Sequence, residues 1–427
     1  MATNKIKKVE QMLNKIIQNY QFSPKEKIDL DRKIKQFITE LQIEAKKLKI
    51  NAQVMLGGSA AKNTFIKDDF DCDIFVRFDY KQYAQKEATI AILLANILKK
   101  YSPAIIHGSR DYYHVEKDNI RYEIVPVLNV KDPKQAINVT DMSPLHVEWV
   151  AKNMTKQLRN EIILTKVFLK ANNLYGAESY IKSFSGHVID ILLVQYKTFL
   201  SLLKASKKWK PYQVIDVEKH NTARWLNESK ISPLIVIDPI LPSRNAAAAI
   251  SLEKINEFKK IAQEFLQKPT EDFFNRKNIT INKLQQKLKA QFPKEQIFII
   301  EITPLTGKED IVLTKALKAF EHIKKEAKQH DFTIIDQNIN FSNKQQPIAY
   351  FIVPKKALDK QKLIKGPPIK YEQGWKEFKQ KHKGAFEKNK QLFAYEQRVF
   401  PLFKDFLENI LKDEYITERI KKIKIIS

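Results

Sequence analysis

Three acidic residues and one glycine-opened turn are the groups in this sequence that could do chemistry together. Asp71 and Asp73 lie two positions apart in the apolar stretch "FDCDIFVRF", and Glu123 lies in the middle of a second one, "IRYEIVP". Side chains two apart on a β-strand project from the same face, so Asp71 and Asp73 would point together. Two carboxylates ~4 Å apart repel by about 4 kcal/mol at an effective dielectric of about 20.

That repulsion can be relieved in three ways: one acid is protonated, the side chains splay into water, or a divalent cation binds. An oxygen-only site of this kind suits Mg²⁺, which keeps several waters and reaches out to substrate phosphates. Two-metal phosphoryl transfer usually needs a third carboxylate, for which Glu123 is the candidate. Cys72, between the two aspartates, would point to the opposite face as a small core residue.

The turn before the aspartates is the second half of this pattern. Gly57 and Gly58 are adjacent in a chain that has nine glycines, and Ser59 follows them. A strand, a glycine turn and a helix start leave backbone N–H groups free to face a phosphate, and Ser59 adds a hydroxyl donor. Each signal is weak alone, because paired aspartates often lie on a solvated edge. Together they predict a phosphate cradle beside a metal-binding carboxylate cluster.

The elements that must position these residues can be read from the apolar periodicity. Two helices are predicted over residues 1–50, the second capped by Ser23 with Pro24 at its first position. Strands are predicted at 51–56, 70–78 and 120–130, with a helix at 82–100. Residues 148–232 are predicted to be mostly helical.

The rest of the chain changes character after that helical region. "PLIVIDPILPSRNAAAAI" predicts a strand, a proline-bearing loop and a helix start, and residues 252–292 return to helix. "QIFIIEI", "DFTIIDQNINF" and "IAYFIVP" predict three strands, with a helix over 309–329 between the first two. A lysine-rich segment then leads to helices at the C-terminus. The predicted fold class is α+β with several domains, and the last sheet could carry RNA.

Composition restricts the partner. The 427 residues, 43% of them hydrophobic, allow two or three folded domains. Lysine and arginine number 75 against 49 acidic residues, a net charge of +26, which suits nucleic acid or an anionic membrane surface. The longest apolar run, residues 88–98, is well short of the ~20 residues that cross a bilayer. A single cysteine excludes intrachain disulfides and disfavours a cysteine-based zinc site. We expect a cytoplasmic protein.

The stretch "GGSAAKNTFIKDDFDCDIFVRF" resembles the active-site turn and strand of the nucleotidyltransferase superfamily that includes DNA polymerase β and poly(A) polymerase. The likeness to archaeal, class I CCA-adding enzymes is closer. It continues through "EIVPVLNVKDPKQAINVTDMSPLHVEWV", "LTKVFLKANNLYGAESYIKSFSGHVIDILLVQY", "VIDPILPSRNAAAA" and "IKGPPI". The resemblance covers most of residues 40–260, with scattered matches beyond, and the order of these blocks makes it specific.

The resemblance implies a domain plan. Residues 1–147 would form a polymerase β-like catalytic head with a mixed sheet, and residues 148–270 a mostly helical neck that contributes to the nucleotide pocket. Residues 271–427 would form a body and tail, an α+β region that binds the acceptor stem and TΨC arm of tRNA. The family also allows a homodimer.

The resemblance also implies a metal site. Asp71, Asp73 and Glu123 would bind two Mg²⁺ ions, which activate the 3′-hydroxyl of tRNA and hold the triphosphate. Glu123 departs from the aspartate that is typical of the family. Lys62 likewise stands where an arginine is common, which replaces a bidentate fork with a point charge.

The nucleotide-binding set implied by the resemblance is Gly58, Ser59, Lys62, His146, Lys166, Tyr175, Ala177 and Arg244. Arg244 would read the base edge of CTP or ATP. A guanidinium donates to O2 and N3 of cytosine or to N1 of adenine, but it cannot accept from the N–H of uracil or guanine. The substrates would therefore be CTP and ATP, added to the 3′ end of tRNA as CCA.

Bland alternatives stand beside these roles. His146 could be an ordinary histidine of a helix's first turn, Tyr175 could only pack between helices, and Lys166 could be solvated. His187 is predicted to be structural, and Arg110 and His114 are left out of the site. Lys362 and Lys365 are candidates for tRNA contact. Two other functions stay open: a poly(A) polymerase or oligoadenylate-synthetase-like enzyme, and a catalytically inactive RNA-binding relative.

The excess of positive charge predicts that RNA binding depends steeply on salt. If about six to ten phosphates are contacted, released counterions lower the affinity by ~10³ to 10⁵ between about 50 and 200 mM salt. Titration of labelled tRNA at increasing salt measures the slope. A flat response would contradict a polyanionic partner.

Overall fold

The computed structural model describes residues 2–67, 69–276, 280–368 and 370–426. It divides into two compact units, Met1–Lys277 and Asn278–Ser427. The predicted division into three domains stays a prediction. Parts of the predicted helix over 252–292 (residues 277–279) and of the "IKGPPI" block (Ile369) lie outside the described residues, as does Asp68.

The first unit holds the predicted catalytic elements. It contains, in chain order, α1 (Ala2–Tyr20), α2 (Pro24–Lys47), β1 (Ala52–Leu56), α3 (Gly58–Ala61), β2 (Cys72–Phe78), α4 (Tyr80–Tyr83), α5 (Ile90–Leu98), β3 (Ala104–Ile106), β4 (Tyr112–Lys117), β5 (Ile120–Leu128), α6 (Ser143–Asn153), α7 (Lys156–Ala171), α8 (Gly186–Tyr196), α9 (Phe199–Ser206), β6 (Gln213–Ile215), β7 (Leu234–Val236) and α10 (Leu252–Gln267). Short 3₁₀ helices lie at Ala84–Thr89, Lys99–Tyr101, Pro133–Gln135, Val139–Met142, Ala223–Trp225, Glu228–Lys230 and Glu271–Phe274.

The start of α2 follows the sequence prediction closely. The Ser23 side chain accepts from the Glu26 N–H, the Glu26 carboxylate accepts from the Ser23 N–H, and Pro24 opens the helix. Leu30, Ile34, Phe37 and Leu41 are buried at helical spacing and pack against the first sheet. The helix therefore covers one face of that sheet.

The first sheet has the strand order β1-β2-β5-β4-β3. β2 runs parallel to β5, whereas β1 and β4 pair antiparallel with β2 and β5 respectively. Cys72 and Ile74 are fully buried on the face that α2 covers. The alternation of a strand then turns Asp73 to the opposite face, as predicted.

The helices of the first unit build a second core. Residues of α1, α7, α8, α9 and α10 share one apolar cluster. The mostly helical prediction for 148–232 is confirmed up to residue 206 and is wrong beyond it, where β6 pairs parallel with β7. The alanine run after Arg244 is a set of turns and not a helix start, because the helix begins at Leu252 under a Ser251 cap.

The second unit is α+β. It contains α11 (Ile281–Gln291), β8 (Gln296–Pro304), α12 (Glu309–Gln329), β9 (Asp336–Asn340), β10 (Ile348–Val353), β11 (Gln361–Pro368), α13 (Glu372–Lys381), β12 (Phe386–Lys388), β13 (Gln391–Gln397), α14 (Phe403–Ile410), α15 (Glu414–Thr417) and β14 (Ile420–Ile425). One sheet has the order β14-β8-β10-β9 and the other β11-β13-β12. The strands β8, β9 and β10 and the helix α12 confirm the predictions. The strands β11 to β14 were missed, and in β11 and β14 lysines interrupt the short apolar pattern.

No helix in the described part of the chain combines the length and apolar character needed to cross a membrane.

One buried ion pair holds the C-terminal end of β5. Asp141 is fully buried, and its carboxylate accepts from the Arg110 guanidinium, from the Leu128 N–H at 2.9 Å and from the Asn138 N–H at 2.9 Å. Arg110 also reaches Glu87 at 3.0 Å. Arg110 thus stabilises the fold, in agreement with leaving it out of the predicted site.

We predict that Asp141→Asn lowers the free energy of unfolding by about 3 kcal/mol or more, because it leaves the buried Arg110 guanidinium without its charged partner. Chemical denaturation measures this loss. Glu87→Gln removes the more exposed partner of the same guanidinium and should cost about 0–1 kcal/mol. Equal losses in both variants would show that Asp141 has no special place in the fold.

Candidate active site

The structure brings Asp73 and Glu123 together on neighbouring strands. They are directly paired residues in the parallel register of β2 and β5. Asp71 precedes β2 instead of lying on it, which corrects the prediction that both aspartates share a strand. Its carboxylate accepts a bidentate pair of hydrogen bonds from Arg121, whose Nε and Nη2 each lie 2.7 Å from an oxygen.

The electrostatics of the cluster show how three acids coexist. Burial raises the pKa of Asp73 to about 7, and the negative charge of Glu123 adds to this effect. Glu123 contacts His114, its cross-strand neighbour on β4, at 3.2 Å between Oε2 and Nε2. Sequence reasoning missed Arg121 and set His114 aside. The available signal was the position of each residue relative to Glu123. Arg121 lies two residues before it on the same strand, and His114 lies opposite it on β4.

The glycine turn is built against Asp73. The Gly57 N–H donates to the Asp73 backbone carbonyl at 2.8 Å, and the Ser59 N–H donates to the Asp73 carboxylate. Gly58 has φ +51, and a Cβ atom there would overlap that carboxylate. Only glycine combines this backbone conformation with such a close approach. The turn and the acid therefore form one structural unit.

A buried carboxylate, Asp190 of α8, lies beside this turn. Lys62 forms an ion pair with one Asp190 oxygen, and the other oxygen is buried without a hydrogen-bond partner. Lys166 is 3% exposed, and its Nζ donates to the Thr64 carbonyl at 3.0 Å and to the Thr64 hydroxyl at 3.1 Å. The solvated alternative for Lys166 is wrong. Asp190 was missed, although an aspartate inside "GHVIDILLV" is a visible break in an apolar helix.

Burial lowers the pKa of Lys166 to about 7, and the nearby charge of Asp190 only partly offsets that effect. A lysine held in this way has little solvation to lose when an anion arrives. Lys62 and Lys166 therefore place two amino groups beside the turn, and we call these two side chains the cationic pocket floor. One oxygen of the neighbouring Asp190 has no hydrogen-bond partner.

A second buried carboxylate, Asp238, gathers the other side chains of the predicted pocket. Its oxygens accept from His146 Nε2 at 2.9 Å and from Arg244 Nη1 at 2.5 Å, and His187 Nε2 lies 3.4 Å away. The rings of His146 and His187 have centroids 4.0 Å apart. Sequence reasoning placed His146 and Arg244 in one pocket without the aspartate that joins them. It called His187 structural.

The pKa shifts in this Asp238 cluster show which of its groups are charged. Burial opposes ionisation of Asp238, but the hydrogen bond from His146 and the nearby ring of His187 outweigh it and hold its pKa below the ordinary value. Burial lowers the pKa of His146 to about 4, so its ring is neutral at neutral pH and donates an N–H. Arg244 then supplies the positive charge that balances Asp238.

Tyr175 and Ala177 lie in the loop between α7 and α8. The Tyr175 ring packs against the helical core, and Lys170 Nζ sits 4.4 Å from its centroid. Its hydroxyl faces Gly186, where a Cβ atom would be 3.1 Å away. Ala177 is exposed. The packing alternative for Tyr175 describes part of its environment, and its hydroxyl end stays beside the first turn of α8.

Two groups of side chains could hold a metal ion. In the described residues, the ligand atoms of His146, His187 and Asp238 all lie within 4.8 Å of one another, a spacing that the three acids do not meet. The Arg244 guanidinium already occupies an Asp238 oxygen, which disfavours a cation there. Asp73 and Glu123 instead form an acidic pair that contacts the Ser59 N–H and His114, and Asp71 is held by Arg121. A divalent cation fits that pair by charge and by ligand type.

Two family models match consecutive parts of the chain. Residues 8–160 match the Second Messenger Oligonucleotide or Dinucleotide Synthetase domain, and residues 160–275 match the second domain of tRNA nucleotidyltransferase. Together they cover the acidic cluster, the glycine turn, Asp190 and the Asp238 cluster.

Several curated archaeal proteins resemble this chain. A CCA-adding enzyme of Methanocaldococcus jannaschii is 28% identical over 87% of this chain and 85% of its own length. One from Nanoarchaeum equitans is 44% identical over 46% of this chain. The chain is similar to archaeal CCA-adding enzymes over most of its length. It spans about half the length of the Nanoarchaeum relative (51%) and 65% of a CCA-adding enzyme from Saccharolobus shibatae, to which it is 30% identical.

Solved structures agree on the fold. A cytoplasmic RNA terminal U-transferase superposes with a TM-score of 0.50 at 12% identity, covering 64% of this chain and all of that one. The Cid1 poly(U) polymerase gives a TM-score of 0.50 at the same identity, covering 64% of this chain and 99% of that one. This chain therefore has the polymerase β-like fold that the sequence predicted for its N-terminal part.

We predict that Gly58→Ala lowers the rate of nucleotide addition at least ~100-fold, because the new Cβ displaces the Asp73 carboxylate from its place. The left-handed backbone adds about 1–2 kcal/mol of strain to the fold. Single-turnover assays and thermal unfolding measure the two effects. Gly384→Ala, where a Cβ would meet nothing within 4 Å, is the matched control. Normal addition by Gly58→Ala would separate the turn from Asp73.

The low pKa of Lys166 predicts a pH-dependent cost to stability. Its pKa is about 7 in the folded protein against 10.5 when unperturbed, so the unfolded state binds the extra proton between these values. Stability contributed by this position then rises with pH across that window and is lowest below it. Relative to wild type, Lys166→Met should be most stabilised at about pH 7 or below. The advantage should shrink toward about pH 10.

Urea titrations across this pH range measure the difference. Lys156→Met, at the exposed start of the same helix, is the control for loss of one lysine. A difference that grows as pH rises would mean that the folded protein favours the charged form of Lys166.

Proposed function

We propose that this chain adds or repairs the 3′-terminal CCA of tRNA, using CTP and ATP and releasing pyrophosphate. One observation carries the proposal: Asp73 and Glu123 are paired on parallel strands against the Gly58–Ser59 turn. Relatives named as CCA-adding enzymes match this chain at 27–44% identity.

Asp71, Asp73 and Glu123 would hold two Mg²⁺ ions. When bound, such ions lower the pKa of an attacking hydroxyl and stabilise the leaving pyrophosphate. The side chains of the protein prepare the site. Asp73, with its pKa of about 7, must release a proton before it can act as a ligand near neutral pH. Arg121 orients Asp71 through two parallel hydrogen bonds.

The triphosphate would lie over the turn and the cationic pocket floor. The Ser59 hydroxyl and the Lys62 and Lys166 ammonium groups would contact its oxygens, with Gly58 allowing close approach. Asp190 acts as a positioning residue, since it holds Lys62 while leaving one oxygen of its own unpaired. His146 and Tyr175 would reach phosphate or sugar, beside Ala177.

Selection of the base would rest on Arg244 and on the carboxylate that fixes it. Arg244 is one-third exposed, so its free N–H groups remain available to a base edge while Nη1 is held by Asp238. Because a guanidinium only donates hydrogen bonds, it pairs with the acceptor atoms of cytosine and adenine and leaves the N–H of uracil or guanine without a partner. Discrimination of this kind costs the wrong base about 1–3 kcal/mol.

The tRNA partner, with the acceptor stem and TΨC arm on residues 271–427, follows from the family and from the net charge of +26. The homodimer and the cytoplasmic location stay predictions.

The test supplies the purified protein with tRNA transcripts that end before CCA, Mg²⁺ and each labelled nucleoside triphosphate in turn. The proposal requires two C additions, one A addition and then arrest. Asp71→Ala and Asp73→Ala should abolish incorporation and retain tRNA binding. Asp132→Asn, at an exposed 3₁₀ cap, is the control for loss of an acidic charge.

Other outcomes would point elsewhere. A long A tail, or use of UTP comparable with CTP, would favour the polymerase alternative. Absence of incorporation by a protein that still binds tRNA would favour an inactive relative. Unfolding of both alanine variants by circular dichroism would make the two aspartates structural.

A further inference from the structure

The sheet β11-β13-β12 of the second unit has two faces of different chemistry. On β13, Leu392 and Ala394 are buried on one side. Phe393 and Tyr395 alternate with them along the strand and point to the other side. On that side Phe393 is paired with Phe386 of β12 and with Lys365 of β11, and Tyr395 is paired with Leu363 of β11. We call this second side the aromatic face, and it consists of Leu363, Lys365, Phe386, Lys388, Phe393 and Tyr395.

Three rings on the aromatic face lie nearly parallel. Phe386 is 6.0 Å from Phe393 and 5.8 Å from Tyr395 between centroids, with 27° between the planes in both pairs. Tyr395 is 60% exposed and Leu363 is 52% exposed. Flat apolar surface of this kind costs free energy in water and usually marks a place of contact.

The charges show what would lie there. The two charged residues of the aromatic face are Lys365 and Lys388. The acids Glu387 and Glu396 occupy the alternate positions that point away, paired with Leu392 and Lys362 in the register. Lys362, one of the two lysines proposed from the sequence for tRNA contact, is therefore on the opposite face from Lys365. A face with rings and only positive charge complements a polyanion that also carries flat apolar groups.

We propose that the aromatic face binds unpaired nucleobases of RNA by stacking, with Lys365 and Lys388 contacting the neighbouring phosphates. Bases within a duplex are stacked on each other and offer no free ring face, so the occupant must be a loop, a bulge or a single strand. Stacking on aromatic side chains tolerates any base sequence, because every base has a π-face. The inference rests on the proposed function only in taking RNA as the ligand.

The first experiment separates bases from phosphates. The probes are a labelled single-stranded RNA of about ten nucleotides, which suits the usual site sizes, and an oligonucleotide of equal length with abasic positions. Tyr395→Leu and Phe386→Leu in the full chain should each weaken binding of the intact RNA about tenfold and leave binding of the abasic probe unchanged. Tyr395→Phe should bind as wild type does. Tyr212→Leu, at a tyrosine 62% exposed in the first unit, is the matched control.

The second experiment uses salt. Lys388→Ala should reduce the slope of log affinity against log salt by about 0.7, the value for one phosphate contact on a single strand. Tyr395→Leu should lower affinity at every salt concentration with the slope unchanged. Thermal unfolding of each variant checks the fold, and Tyr395→Phe distinguishes loss of the ring from loss of structure.

Wild-type affinity in both leucine variants, or equal weakening of both probes, would overturn the inference. A change in oligomeric state on sedimentation, without a change in RNA affinity, would instead assign the aromatic face to a protein contact. If wild type adds C, C and A but the leucine variants bind RNA normally, only this inference fails. If wild type adds no nucleotide, the proposed function fails and the oligonucleotide result still decides the aromatic face.

Discussion

The pairing of β2 with β5 is the constraint on which the candidate active site depends. The parallel register puts Asp73 beside Glu123. Their neighbours Cys72, Tyr122 and Ile124 are fully buried, so neither strand can slip by one residue without exposing core side chains and burying acids. The hydrophobic core thus enforces the juxtaposition of two like charges that would otherwise separate. The raised pKa of Asp73 reflects its burial and its repulsion by Glu123.

Buried carboxylates repeat this logic in the proposed nucleotide pocket. Asp190 and Asp238 are both fully buried, and each holds a cationic or hydrogen-bonding side chain that an anionic substrate would meet. An unpaired charge in such a place would be costly, so each carboxylate and its partner are retained together. Lys62 and His146 come from elements 128 and 92 residues away from their carboxylates, whereas Arg244 lies six residues after Asp238. Tertiary packing therefore positions the two distant partners, and the local chain positions Arg244.

The second unit uses simpler means. Its four-stranded sheet is covered by α12 through Phe320, Ile323 and their neighbours, which supplies a core for the unit. Its three-stranded sheet instead leaves rings exposed between lysines. The four-stranded sheet therefore stabilises the unit, whereas the exposed face of the three-stranded sheet is available for contact.

Local sequence determined the elements whose signals lie within a few residues. The capping box at Ser23, the alternation around Asp73 and Glu123, the glycine pair and the long helix α12 could all be read from spacing, because backbone geometry links neighbouring positions directly. The resemblance to archaeal CCA-adding enzymes could also be read from the order of the motifs. Tertiary structure alone decided that Asp71 turns to Arg121, that Lys62 pairs with Asp190 while Lys166 binds Thr64, and that Asp238 joins His146 to Arg244. It also decided that lysine-rich segments form a sheet with one aromatic face. These outcomes depend on which distant side chains share a buried, poorly solvated space, and spacing along the chain carries no information about that.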